Sequence, residues 1–398
     1  MSWKKPFRRP VTALLVVFIS LAWTKRDLIL SNLLGQVQPQ ETTKYAGHGN
    51  YNNEACYTYT IGKACEDVKI HAPSNTAFLG ACGSPEDRLQ YYPGAGLVGA
   101  PPDRYYMEYL VKHEFRTNVS TRLEIENWNA TRDLVLHGLD IWQPVGDDSM
   151  IYIHAVNHDR EGDSVVVFSH LLGTNKVRVV DEYLHPLIKT ANEVAATGPR
   201  SFFVSNDHYF ARGIGRYLEN RFGPFKWASS IVFCADNHGD FDCQRVSPKN
   251  SHPYANGILL LDQGKTLAVA DVVYGSITFY DVQLESGKLT RSHVVELGAT
   301  PDNMSELSDN GDIIVAVSPN LSSVYARAFG DDPLDSSKLV EAAVVRLVKA
   351  DNYATEVLYW DDGSLISIIT AGAVDAKHGK LIASGVWERH FIVCDVLL

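Results

Sequence analysis

Residues 256–281 read NGILLLDQGKTLAVADVVYGSITFYD. Ile258 to Leu261 is an aliphatic burst of strand length, Asp262-Gln263-Gly264-Lys265 is a turn, and Thr266 to Ala270 and Ser276 to Asp281 supply two further strands. Two hairpins thus follow one another with no helix between them. Fainter copies lie downstream. One runs from Met304-Ser305 through the turn Ser308-Asp309-Asn310-Gly311 into Asp312 to Val317, and another from Gly372 through Lys377-His378-Gly379-Lys380 into Leu381 to Val386. Repetition on this scale predicts the blades of a β-propeller, with a β-sandwich or two stacked β domains as the competing architecture.

A propeller must close its ring or leave a strand edge exposed. Six cysteines bear on this. Cys56 stands near the start of the folded part and Cys394 near its end, so a bond between them would join the two. Cys234 and Cys243 bracket a polar loop, and Cys65 and Cys82 remain as a third pair or as free thiols, since connectivity does not follow from spacing.

The rest of the composition narrows the field. Of the 398 residues, 45% are hydrophobic and 21% charged, which is ordinary globular material, and strand-like bursts run to the C-terminus without a long linker. A net charge of −11 with no basic cluster in the body of the chain excludes nucleic acid as a partner. Lys4, Lys5, Arg8 and Arg9 precede an apolar run from Val11 to Trp23, so residues 1–30 read as a signal peptide or signal anchor. Trp23-Thr24-Lys25-Arg26 offers no clear cleavage site, which leaves both outcomes open. Entry into the secretory pathway follows, with the folded part extracellular or anchored on the lumenal side. The cysteines and the sequons at Asn118, Asn129, Asn303 and Asn320 agree with it. There is no Gly-x-Ser-x-Gly elbow and no His-Glu-x-x-His, which disfavours serine-nucleophile and zinc hydrolysis.

Seven segments, in order, carry a resemblance: Glu66-Asp67; His137-Gly138; Val156-Asn157-His158; Asn192-Glu193-Val194; Ser205-Asn206-Asp207-His208-Tyr209-Phe210; Ala255-Asn256-Gly257-Ile258; and Asp302-Asn303-Met304-Ser305. Together, and flanked by Cys56 and Cys394, they resemble the paraoxonase/arylesterase family over most of the chain. The resemblance implies an all-β fold over residues 50–398: a six-bladed β-propeller with a few capping helices and two Ca²⁺ ions in a central tunnel. It also implies hydrolysis of lactones and aryl esters. Gluconolactonase and strictosidine-synthase-like propellers lack the combined histidine and cysteine pattern.

Calcium takes several hard oxygen ligands, and the matched positions are almost all Asp, Glu or Asn. By resemblance, Glu66, Asn192, Asn256, Asp302 and Asn303 hold a catalytic ion. Asp67, Glu193 and the backbone carbonyl of Leu139 hold a structural one. The ion would polarise the substrate carbonyl, His137 would act as general base with His158 as its partner, and His208 would bind substrate at the rim. Asn303 as a ligand cannot also carry a glycan, which leaves Asn118, Asn129 and Asn320 as glycosylation sites. The chain departs from the family twice: Glu193 stands where Asp is usual, and Ser318 where histidine is frequent. These departures favour the alternative of a catalytically inactive, calcium-stabilised binding module, whereas the two histidines argue for an enzyme. The segment from Gly83 to Gly96 reads as a lid. Apolar and basic residues from Tyr209 to Trp227 read as an amphipathic helix able to rest on a membrane or other lipid surface.

Overall fold

The computed structural model describes residues 31, 34–39, 45 and 47–398, except 238, 308, 309 and 329. The N-terminal targeting segment expected over residues 1–30 lies outside the described residues. Among them no helix is long and apolar enough to cross a membrane.

Six antiparallel sheets form the blades of a propeller. The innermost strands, in ring order, are Asp67–His71, Leu136–Trp142, Ala191–Gly198, Ala255–Leu261, Thr300–Leu307 and Ala371–Asp375, which we number blades 1 to 6. The stretch read first is blade 4: Ala255–Leu261, Thr266–Asp271 and Ser276–Gln283, completed by Lys288–Glu296. Blade 2 has a fifth strand, Glu124–Glu126, added in parallel to its outer edge. Blade 6 is completed from the other end of the chain. Cys56–Tyr59 pairs with Phe391–Asp395, with Cys56 directly opposite Cys394, and a disulfide joins the two. The other cysteines pair as Cys65–Cys82 and Cys234–Cys243, and none is free.

The Val/Ile/Leu-rich strands bury aliphatic side chains between neighbouring blades. Blades 1 and 2, for example, share Phe78, Leu110, Leu136, Ile151 and Phe168, and blades 4 and 5 share Leu261, Phe279, Ile313 and Val345. Each of the six blade junctions has its own cluster of this kind. A wheel of such wedges leaves polar residues at its hub, where no apolar partner faces them.

Three helices lie among the described residues: α1 (Pro85–Arg88), α2 (Gly213–Phe222) and α3 (Leu321–Ala328). Each is inserted between the second and third strands of an odd-numbered blade, on the face where the inner strands begin. Helix α2 is shorter than the expected run from Tyr209 to Trp227. It starts after Arg212, whose backbone is extended, and stops at Gly223-Pro224, where proline has no N–H to continue it.

Candidate functional site

The inner strands deliver their polar residues by breaking register. In blades 3, 4 and 5 the ladder to the second strand skips between Ala191 and Val194, between Ala255 and Ile258, and between Pro301 and Met304. The skipped residues are Asn192-Glu193, Asn256-Gly257 and Asp302-Asn303. A bulge frees a residue from the alternation of in and out, so both members of each pair can leave the blade face. Gly257 is required at its bulge, because a Cβ there would stand 2.6 Å from the Asp302 carbonyl oxygen. Glu66-Asp67 and His137-Gly138 enter at the corresponding ends of blades 1 and 2.

Glu66, His137, Asn192, Asn256 and Asp302 line one cavity of about 140 Å³ at this end of the tunnel, with Tyr92, Tyr254, Tyr325 and Trp387 in its walls. Asn303 is buried beside it and donates from Nδ2 to Glu66 Oε1 at 2.8 Å. Five side-chain oxygens here are buried with no hydrogen-bond partner: Glu66 Oε2, Asn192 Oδ1, Asn256 Oδ1, Asp302 Oδ1 and Asn303 Oδ1. Buried oxygens are seldom left unmatched, and a cluster made of oxygens alone is one that a bound cation would satisfy. Burial, with Asp302 and then Asp67 nearby, pushes Glu66 well above the usual carboxylate range, and burial pushes Asp302 up to about 8. The residues therefore fit a hard cation such as Ca²⁺. Among the described residues, no group of three His, Cys, Asp or Glu side chains gathers as a metal cluster, because three of the five oxygens are amides.

Beside this set runs a chain of hydrogen bonds. Asp163 Oδ1 lies 2.9 Å from His158 Nδ1, and His158 Nε2 lies 2.9 Å from His137 Nδ1. Asp163 is fixed in turn by the Ala191 amide, which donates to Oδ2 at 2.9 Å. With His158 Nδ1–H donating to the carboxylate, His158 Nε2 accepts from His137 Nδ1–H, which leaves the lone pair of His137 on Nε2, 3.6 Å from Glu66 Oε1. Burial, then the neighbouring His158, holds His137 well below the ordinary imidazole value, so the ring is neutral.

The segment expected to form a lid packs against the cavity. Tyr91–Tyr92 pairs with Leu97–Val98, both tyrosines are buried, and Gly94 lies so close over His137 that a Cβ would stand 2.7 Å from its Cε1. Arg88 fixes this segment: its guanidinium lies 4.3 Å from the Tyr92 ring centre, donates to the Ala81 carbonyl, and meets Glu108 Oε1 at 2.7 Å. His208 is in a different place from the rest. Its Nδ1 lies 2.8 Å from Asp207 Oδ1, and it lines an adjoining groove beneath α2. Ser318 does line the main cavity.

Asp67 and Glu193 are buried together, but no oxygen of either lacks a partner among the described residues. The Lys69 ammonium sits between them, 3.0 Å from Asp67 Oδ2 and 3.4 Å from Glu193 Oε2. Burial would lower its pKa, but Asp67, Glu193 and Asp140 outweigh that and raise it, so the group is a cation. Leu139 donates its amide to Asp67 Oδ2 at 2.9 Å. Sequence reasoning missed Lys69 and Asp163. Both meet their partners through the fold, and neither belongs to a local motif.

A family model described as Arylesterase matches residues 59–396. Serum paraoxonase/arylesterase 2 of Gallus gallus is 25% identical over 335 residues, covering 84% of this chain and 87% of its own. Serum paraoxonase/lactonase 3 of Homo sapiens is 24% identical over 324 residues, covering 81% and 84%. Among solved structures, a gluconolactonase from Xanthomonas campestris is 10% identical with a TM-score of 0.47, over 91% of this chain and 95% of its own.

Proposed function

This chain belongs to the arylesterase family, and from that premise we propose that it hydrolyses carboxylic esters and lactones with the help of one Ca²⁺ at the tunnel mouth. The observation that carries the reading is the set of five unpartnered oxygens beside the Asp163–His158–His137 chain. Calcium held by Glu66, Asn192, Asn256, Asp302 and Asn303 would supply Lewis acidity to the substrate carbonyl. The residues of the chain do the rest. Tyr92, Tyr254, Tyr325 and Trp387 make apolar walls for an aryl or alkyl group. His137 Nε2 takes a proton from water, and His158, anchored on Asp163, fixes the tautomer and shares the charge that forms. The proton then passes to the departing alkoxide or phenoxide oxygen, which for a lactone stays on the same molecule. His208 stands outside this cavity, so a role in substrate binding would be played from the adjoining groove.

The three disulfides support a secretory location, and Asn118, Asn129 and Asn320 are exposed and open to glycans. Helix α2 supports contact with lipid. It turns two of its three charged residues inward, with Arg216 and Glu219 buried and Arg221 exposed, and its apolar ones outward, with Ile214 73% and Tyr217 62% exposed. Glu219 accepts from the amides of Tyr209 and Phe210 at 2.9 and 3.0 Å, which fixes that orientation.

The test is an assay of purified protein on aryl acetates and on γ- and δ-lactones, with and without a calcium chelator. Loss of activity on chelation and its return with Ca²⁺ is expected, and activity indifferent to chelation sinks the mechanism. A folded protein that binds calcium and hydrolyses none of these substrates would instead favour a binding module.

A further inference from the structure

Asp67 and Glu193 are the two side chains that the resemblance gives to a second, structural ion, and here a side chain already stands between them. We infer that the Lys69 ammonium replaces that ion, so the tunnel holds one exchangeable divalent cation and one that is covalently attached.

The geometry carries this on several counts. Lys69 is 5% exposed and Asp67 and Glu193 are wholly buried. Its Nζ donates to Asp67 Oδ1 at 3.2 Å, to Glu193 Oε2 at 3.4 Å and to the Met304 carbonyl at 3.0 Å. An ammonium has three protons and no acceptor, so these three acceptors use it fully. They come from the inner strands of blades 1, 3 and 5, which makes the ammonium a tie between alternate blades. The carboxylate oxygens are otherwise engaged. Asp67 Oδ1 accepts from the Val68 amide at 2.8 Å, Asp67 Oδ2 from Leu139 at 2.9 Å, and Glu193 Oε1 from Val194 at 3.0 Å.

The contrast with the mouth decides the matter. There, five oxygens lack partners, and here none does. A divalent ion binding between Asp67 and Glu193 would need their oxygens at about 2.3–2.6 Å. It would have to displace the ammonium from its partners or sit beside it, where two like charges repel with no water to screen them. The side chain at 193 fits the arrangement: glutamate is one methylene longer than the usual aspartate, and its Oε2 reaches the lysine.

The inference shares with the proposed function only the seat of the first ion. Bound calcium is counted by elemental analysis after dialysis, on wild type, Lys69→Gln and Asp302→Asn. Wild type should carry one ion per chain, Asp302→Asn none, and Lys69→Gln two, with a melting temperature that rises with calcium more than that of wild type. Two ions on wild type would overturn the inference. So would a folded Lys69→Gln that still carries one, or an Asp302→Asn that keeps its ion while Asp67→Asn loses it. If Lys69→Gln does not fold, the wild-type count alone decides. No ion on wild type would sink the calcium reading of the mouth while leaving Asp67 and Glu193 held by Lys69, as inferred here.

Discussion

At the scale of single residues, each proposed role rests on one contact that can be removed. Replacing His137 by Gln keeps the size of the side chain and deletes the proton acceptor, so kcat on an aryl ester should fall on the order of 10²–10⁴-fold with the fold intact. Asp163→Asn should cost less, roughly tenfold or more in kcat with little change in KM, because it disturbs the tautomer of His158 and leaves the base in place. Steady-state kinetics beside a thermal melt separates the two from simple unfolding. Asn303 gives a residue-scale prediction of another kind. It is buried against Glu66, so protein expressed through a secretory pathway should carry glycans at Asn118, Asn129 or Asn320 and none at Asn303, as peptide mapping after enzymatic deglycosylation in water enriched in heavy oxygen would show. Much of this was legible in the sequence, because Glu66-Asp67, Asn192-Glu193, Asn256-Gly257 and Asp302-Asn303 are local pairs. Lys69 was not. Its meaning lies in Glu193, 124 positions away, and nothing around Lys69 announces the meeting.

At the scale of elements, the bulges and α2 carry the argument. Gly138 faces Glu193 so closely that a Cβ would lie 2.4 Å from its Oε1, so Gly138→Ala must displace a buried carboxylate bound to Lys69. Breaking a buried pair of this sort costs about 3–5 kcal/mol, which a denaturant titration would register. For α2 the expected outcome concerns binding. Ile214→Glu with Tyr217→Glu should reduce co-sedimentation with phosphatidylcholine vesicles several-fold and leave hydrolysis of a soluble ester unchanged, and undiminished sedimentation would remove the lipid role. Three of the four strands of blade 4 could be read to within a few residues, since the turn Asp262-Gln263-Gly264-Lys265 separates the first two, whereas Lys288–Glu296, largely exposed and polar, was not read. Helix α2 was overextended because apolar residues continue at helical spacing past Gly223-Pro224, and periodicity does not register a stop.

At the scale of the whole molecule, closure and buried histidines set stability. The Cys56–Cys394 bond closes a loop with a sequence separation of 338, so Cys56→Ser with Cys394→Ser should lower unfolding free energy by about 3–5 kcal/mol, measured by chemical denaturation. His154 is buried, with Nδ1 unpartnered, and burial lowers its pKa to about 4. The unfolded chain takes up this proton near pH 6.5, whereas the folded chain resists it until about 4. Its contribution is therefore complete above pH 6.5 and is lost as pH falls toward 4, by at most about 3 kcal/mol for a shift of this size. His154→Phe should flatten the dependence of melting temperature on pH in that window. An unchanged slope would assign the acid sensitivity elsewhere.

Pairing the last strand made with the first has a consequence for synthesis. A ribosome releases residues in order, and at roughly 5–20 per second the 338 positions between Cys56 and Cys394 take roughly 17–70 s to appear. Through that interval Cys56–Tyr59 has no partner, and Phe391–Asp395 is still to come. The wheel can assemble spoke by spoke during translation, but its final seam waits for Phe391–Asp395. A nonsense codon just before Phe391 would therefore leave both rims of the seam bare, with a loose thiol at Cys56 available to the wrong partner.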